Sequence, residues 1–243
     1  MKVDLIDHMG TDLTVVNAAR VSFDKTSSTL DDKDIKLINY LARHNHWSPF
    51  SHCFVQFRVK APIFIARQLA KHQVGLSWNE VSRRYVDSEP ELYIPDGWRK
   101  RSEDKKQGST NEYVTDLEVT SFYDQEYYPD DKMYLCPMET STYDIREVVD
   151  VECNKLLELY DNMINNNVCP EQARMILPQN MYTEWYWSGS LYAFSRVCQL
   201  RLDKTSQIEV QQVARQISAY CTTKFPHSWN ALTKENTHEQ TST

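Results

Sequence analysis

Glycine is scarce, with five in 243 residues. That excludes a collagen-like chain and a Gly/Ser linker protein, and it leaves little material for a Gly-rich phosphate loop. No stretch approaches the roughly 20 apolar residues of a membrane span. The opening Met1-Lys2-Val3-Asp4-Leu5-Ile6-Asp7 lacks the apolar run of a secretory signal. Excess positive charge is also missing. The net charge is −7, the wrong field for a chain that neutralises nucleic-acid phosphates. Cys-x-x-Cys pairs are absent, which removes the usual signature of zinc ribbons and thioredoxin-like redox centres. The six cysteines, Cys53, Cys136, Cys153, Cys169, Cys198 and Cys221, are dispersed, and most read as reduced packing residues. No His/Cys/carboxylate cluster has metal-ligand spacing, so no metal is expected. What remains is a cytoplasmic enzyme or binding protein of ordinary globular composition.

The pattern predicts a strand over Val3–Ile6 and a helix from Asp12, as its cap, to Arg20. A second helix is predicted over Asp31–His44. Cys53–Lys60 alternates cleanly, with Val55, Phe57 and Val59 on one side and Gln56, Arg58 and Lys60 on the other. It is the clearest strand in the chain. Pro62 then sits in the first turn of a helix running from Ile63 to about Gln73 and ending near Gly75. On that helix Arg67 and Lys71 would share a face, as would Gln68 and His72. Residues 98–137 read as a surface insertion holding one short strand or hairpin. The C-terminal half reads as helical, over Glu139–Asn165, from Pro170 to Pro178, over Ser188–Leu200, and from a Ser206/Glu209 capping box to Pro226. Residues 1–232 read as one domain and 233–243 as a polar tail.

Residues 61–86 concentrate positive charge. Arg67, Lys71, Arg83 and Arg84 against Glu80 leave this window at +3 in an acidic chain. Gln68, His72, Ser77, Asn79 and Ser82 crowd the same stretch. Such a mixture can grip a phosphate and read a heterocycle by hydrogen bonding. By composition alone, a solvated helix face and polar loop account for it equally well.

The wording of the segment is more specific. Arg67-Gln68-Leu69-Ala70-Lys71-His72-Gln73, followed by Ser77-Trp78-Asn79-Glu80-Val81-Ser82-Arg83-Arg84-Tyr85, closely resembles the signature of the flavin-dependent thymidylate synthases, the ThyX family. Further pieces occur in the family's order. They are Ala18-Ala19-Arg20-Val21-Ser22-Phe23, Pro49-Phe50-Ser51-His52, Lys60-Ala61-Pro62-Ile63-Phe64, Tyr93-Ile94-Pro95, Ala173-Arg174-Met175-Ile176-Leu177-Pro178 and Arg201-Leu202-Asp203. The resemblance spans the chain except residues 98–137. It departs at the signature's centre. Relatives usually read Arg-His-Arg with seven residues before the Ser, whereas this chain reads Lys71-His72-Gln73 with eight before Ser82. Arg196 and Thr205 stand where relatives often carry Asn and His.

The resemblance implies an α+β, ThyX-like fold, a mostly antiparallel sheet flanked by helices. It implies methylation of dUMP to dTMP, with methylenetetrahydrofolate as carbon donor and FAD, reduced by NADPH, as hydride source. No Cys nucleophile is needed. It also implies a homotetramer with FAD sites shared between subunits. Carried over residue by residue, Arg201 stabilises the anionic uracil ring, and His52 lies near the folate and flavin entrance. Gln68, Lys71, Glu80, Ser82, Arg83, Arg84, Arg174 and Arg201 hold dUMP. Ser22, Lys71, His72, Gln73, Asn79, Glu80, Ser190 and Arg196 hold FAD. Ser82 belongs with the catalytic group as a positioning hydroxyl, since no neighbouring base activates it. Two alternatives keep the fold: a flavin-dependent pyrimidine hydroxymethylase and an inactive nucleotide-binding relative. Tyr182, Trp185, Tyr186 and Trp187 read as core or interface.

Overall fold

The structure is a computed structural model and describes residues 1–86, 89–103, 108–121 and 139–234. In chain order its elements are β1 (Lys2–Met9), α1 (Asp12–Arg20), α2 (Asp32–Arg43), β2 (Phe54–Pro62), α3 (Ile63–Leu69), β3 (Leu76–Glu80), β4 (Trp98–Arg101), β5 (Ser109–Val114), β6 (Asp116–Ser121), β7 (Glu139–Asp144), α4 (Ile145–Asn165), α5 (Pro170–Ala173), β8 (Tyr182–Ser190), α6 (Leu191–Arg201), α7 (Ile208–Lys224) and α8 (Pro226–Thr233). Short 3₁₀ turns occupy Val21–Phe23, Ser48–His52 and Arg174–Ile176. The chain divides into two compact units, Met1–Leu92 with Gln179–Thr243, and Tyr93–Pro178.

The first unit is built on a four-stranded antiparallel sheet in the order β1-β2-β8-β3. The alternation of β2 is realised as expected, with Val55, Phe57, Val59 and Ala61 buried. Its central partner β8 alternates the same way, burying Thr183, Trp185, Trp187 and Gly189. The two indoles are therefore core residues: Trp78 stacks on Trp185 with ring centres 4.3 Å apart. Tyr186 points from the opposite face and is half exposed. Val16, Ile38, Leu69, Phe194, Val213, Ile217 and Trp229 complete the buried cluster against the sheet.

Several expectations are corrected. The segment over 182–190 is a strand, not part of a helical half, because its β-branched and aromatic residues recur with period two. The predicted segment from Ser188 therefore becomes a strand end followed by α6, with Ser190 as the cap accepting from the Ala193 N–H at 3.2 Å. Glu139–Asp144 is likewise a strand, and the helix starts only at Ile145 under an Asp144 cap. The Ser206/Glu209 capping box does not form. Ser206 Oγ instead donates to the Leu200 carbonyl at 2.8 Å, and Gln207 occupies the cap position of α7. Asp12 lies inside α1, with Thr11 at its cap. The Asp12 carboxylate accepts from the His227 and Ser228 N–H groups at 3.0 and 2.8 Å, in the first turn of α8. Pro226 thus opens a further helix rather than only closing the preceding one.

In the second unit the expected hairpin is β4 with β5, and a second ladder joins β6 to β7. Residues 122–137 of the expected insertion, with Cys136, lie outside the described residues, as does the tail from 235 onwards.

Candidate active site

The charged signature folds differently from one continuous helix. α3 stops at Leu69; the Ala70 N–H still bonds to Ala66 and the His72 N–H bonds back to Leu69. Gly75 then takes a φ of +75°, a conformation that favours glycine. Its carbonyl accepts from the Ser190 N–H at 3.2 Å, which locks the turn to the end of β8. Arg67 and Lys71 therefore do not share a helical face. Lys71, His72 and Gln73 instead project from a turn between α3 and β3. The reason is the β3–β8 pairing, Leu76 with Gly189 through Glu80 with Trp185. It requires the chain to reverse immediately after Gln73.

This turn forms one wall of a cleft of about 490 Å³, lined by Lys71, His72, Gln73, Val74, Leu76, Ala193, Arg196, Gln199 and Leu200. The opposite wall is one face of α6, where Ala193, Arg196, Gln199 and Leu200 follow helical spacing. Sequence reasoning reached Arg196 but not Gln199, Leu200 or Val74. The i, i+3, i+4 relation to Arg196 was a usable signal for the first two. Val74 is 78% exposed, an apolar residue standing at the open mouth of a site.

At the end of α6, Arg201 enters the same region. Its Nε donates to His72 Nε2 at 3.0 Å, and its Nη2 donates to the Gln68 carbonyl at 3.1 Å. Gln68 Nε2 donates to Gln207 Oε1 at 2.6 Å, tying α3 to the start of α7. Burial pushes the His72 pKa down, and the Arg201 and Arg196 charges push it further the same way. Burial also lowers the pKa of Arg201.

Beyond β3, Glu80 is already held. Its carboxylate accepts from Thr183 Oγ1 at 2.7 Å and Trp78 Nε1 at 3.1 Å. Ser82 Oγ accepts from the Arg84 side chain at 3.3 Å, and the Arg84 guanidinium lies over the Tyr85 ring. Ser82 and Arg83 follow β3 directly, and Asn79 lies on that strand beside Tyr186. Ser190 is buried and serves as the α6 cap, below Gly75. Ser22 lies in the exposed 3₁₀ turn after α1. That turn is braced by an ion pair from Arg20 to the buried Asp34 and by two Asn17–Ser27 bonds. His52 is exposed at the end of the 3₁₀ turn before β2, whose Pro49 and Phe50 are buried. Arg174 belongs to the second unit, where it is exposed in a 3₁₀ turn. The run after it is not a buried one, since Met175 is 77% exposed.

Among the described cysteines, Cys53, Cys153, Cys198 and Cys221 are buried and Cys169 is exposed; burial raises the pKa values of Cys53, Cys198 and Cys221, away from thiolate formation. Among the described residues no cluster of three or more His, Cys, Asp or Glu side chains is placed to hold a metal. No described helix is long and apolar enough to cross a membrane.

The cleft's donor set suits a flavin nucleotide. Lys71 and Arg196 are cations that can pair with a diphosphate, Gln73 and Gln199 bring amides, and Val74, Leu76 and Leu200 bring apolar surface that can pack on a flat ring.

A cationic cleft beside an anchored arginine can hold an anionic, nucleotide-like ligand. The family model described as "Thymidylate synthase complementing protein" matches residues 4–227, and the chain belongs to this family of flavin-dependent thymidylate synthases. A flavin-dependent thymidylate synthase of Thermus thermophilus is 35% identical over 232 residues, covering 95% of this chain and 74% of that protein. One from Thermosipho africanus is 34% identical over 230 residues, covering 95% and 90%. The crystal structure of the UMP/dUMP methylase PolB from Streptomyces cacaoi, bound with 5-Br dUMP, superposes with a TM-score of 0.73 at 28% identity, covering 96% of this chain and 94% of that one.

Proposed function

We propose that this enzyme methylates dUMP to dTMP, with methylenetetrahydrofolate as carbon donor and FAD, reduced by NADPH, as the source of the hydride. The observation that carries this reading is Arg201, a guanidinium fixed by His72 and Gln68 at the edge of the flavin-suited cleft. The uracil C5 must become electron-rich before it can bond to the incoming one-carbon unit. A guanidinium facing the N3 and O4 edge of the ring stabilises the enolate-like anion that develops there. Two of Arg201's five N–H groups are used for anchoring. Among the described residues the other three carry no protein hydrogen bond, so they are available to the ring.

Lys71, Arg83 and Arg84 supply charge for the nucleotide phosphate, with Gln68 and Ser82 as polar partners, and the family resemblance adds Arg174 to the nucleotide-binding set. Glu80 is fixed by Thr183 and Trp78 and orients the nucleotide beside the flavin. Lys71, His72, Gln73, Arg196, Asn79, Ser190 and Ser22 form the flavin side, and His52 borders the folate entrance. The bound flavin supplies the two electrons that turn the transferred carbon into a methyl group. The family's homotetramer, with flavin sites shared between subunits, completes the reading, in a cytoplasmic setting.

The test is the visible spectrum of the purified protein. Flavin bands bleached by NADPH and restored by dUMP with methylenetetrahydrofolate, with thymidylate as product, are the expected result. A protein that binds dUMP but no FAD, or a product that is 5-hydroxymethyl-dUMP, overturns it.

A further inference from the structure

We propose that His72 is a positioning residue that must be neutral to act: its Nε2 lone pair fixes the plane of the Arg201 guanidinium, and protonation releases it. This rests on the reading of Arg201 given above.

The contact itself is chemically unambiguous. Arginine stays protonated and is only a donor. In the 3.0 Å contact between Arg201 Nε and His72 Nε2, the imidazole nitrogen must therefore be the acceptor. That assigns the ring proton to Nδ1. The second anchor, from Arg201 Nη2 to the Gln68 carbonyl, defines one edge of the guanidinium. His72 defines the adjacent position. Together they fix the plane in which the remaining N–H groups lie. With only the Gln68 bond, the group can swing about it.

A protonated His72 has no lone pair at Nε2. The contact would then set two cations 3.0 Å apart, where a hydrogen bond had been. The charged groups around His72 all work against its protonation. Arg201 and Arg196 come from α6, and Lys71 adjoins it in the turn; among the described residues no carboxylate lines the cleft to compensate. Burial acts in the same direction. The fold therefore keeps His72 neutral at ordinary pH. It also creates a defined acid limit at which the anchor is lost. Neither Lys71 nor Gln73 makes one of the two hydrogen bonds that anchor Arg201.

Two measurements test the inference. In ¹⁵N-histidine NMR of the full-length protein, with the His72 signals assigned through His72→Gln, the Nδ1–H tautomer is expected, with a pKa below the ordinary histidine value. An Nε2–H tautomer, or a pKa at or above that value, overturns the proposal whatever the enzyme's activity. Single-turnover flavin reoxidation at saturating dUMP should fall roughly tenfold per pH unit below the NMR pKa of His72. His72→Gln keeps an acceptor that does not titrate, so it should lose that acid limb. Wild-type rates that do not track the NMR pKa, or a limb that persists in His72→Gln, overturn it. If the NMR result holds while Arg201→Lys turns over normally, the anchor is real and the role assigned to Arg201 fails instead.

Discussion

Arg201→Lys is the sharpest test of the chemistry. The charge is retained, so a loss cannot be assigned to the field of the cleft alone. What changes is geometry. Arg201 makes a 3.0 Å bond to His72 and a 3.1 Å bond to the Gln68 carbonyl, and among the described residues its other three N–H groups carry no protein hydrogen bond. A lysine ammonium has three N–H groups in all, on a single nitrogen. If it reaches the Gln68 carbonyl and His72 it has one donor left. It cannot match the planar, multi-donor edge that a guanidinium turns toward the O4 side of the uracil.

Losing one preorganised donor to a developing oxyanion costs roughly 10²–10³ in rate, or about 2.7–4 kcal/mol. Because the interaction strengthens as charge develops, the loss should fall on turnover more than on binding. Arg201→Lys is therefore expected to bind FAD, to be reduced by NADPH, and to bind dUMP within about tenfold of the wild type. Reoxidation of its flavin in a single turnover, with dUMP and methylenetetrahydrofolate saturating, should be slower by roughly 10²–10³. A rate within a few-fold of wild type would show that ring activation comes from elsewhere.

Arg174→Ala should weaken dUMP binding by about 1.5–3 kcal/mol, the worth of a charge-assisted contact, while FAD still binds. Calorimetric titration giving unchanged dUMP affinity removes it from the nucleotide grip. Asp12→Ala deletes a buried carboxylate that accepts two N–H groups at the start of α8, and should cost about 1–3 kcal/mol in urea unfolding. An unchanged midpoint would mean that solvent replaces it. Gly189→Ala drives a methyl into the Gly75 carbonyl oxygen and within 2.6 Å of a Leu76 methyl. It should cost about 1–3 kcal/mol through overpacking and weaken FAD binding, since the turn carrying Lys71–Gln73 must move. Wild-type flavin affinity in that variant would show that the turn does not shape the cofactor site.

What the sequence disclosed depended on how far each signal reached along the chain. β2 was legible because its alternation is local and its polar face is charged. α2 was legible because Ile35, Leu37, Ile38 and Leu41 recur with helical spacing behind an acidic first turn, and in the structure Asp31 caps it, accepting from the Asp34 N–H at 2.8 Å. β3 was not legible. Leu76-Ser77-Trp78-Asn79-Glu80 is too short and polar to stand out, and it becomes a strand only by pairing with β8, more than a hundred residues away. The same distance hid the function of Asp12, whose nearest helix N-terminus in sequence is not the one its carboxylate serves. The capping-box pattern at Ser206 and Glu209 was a local signal that lost to a tertiary one, the Ser206 bond to Leu200 at the end of α6.

The site shows the same division. Resemblance picked out Arg201, His72 and Gln68 as separate members of the nucleotide and flavin sets. Nothing in their spacing indicated that they bond to one another, because the helical reading through Gln73 placed His72 on a different path. Ending α3 at Leu69 changes the chemistry that His72 can do. On a continued helix it would be one more polar side chain beside Gln68. In the turn it faces the last residue of α6 and becomes an acceptor for the guanidinium. The residue inserted near Gly75, relative to the family pattern, falls in the loop between His72 and β3, whose Gly75 carbonyl is pinned to Ser190. That loop takes its left-handed turn at Gly75, beside Val74, and is separate from the segment that meets Arg201, where His72 follows directly on the end of α3.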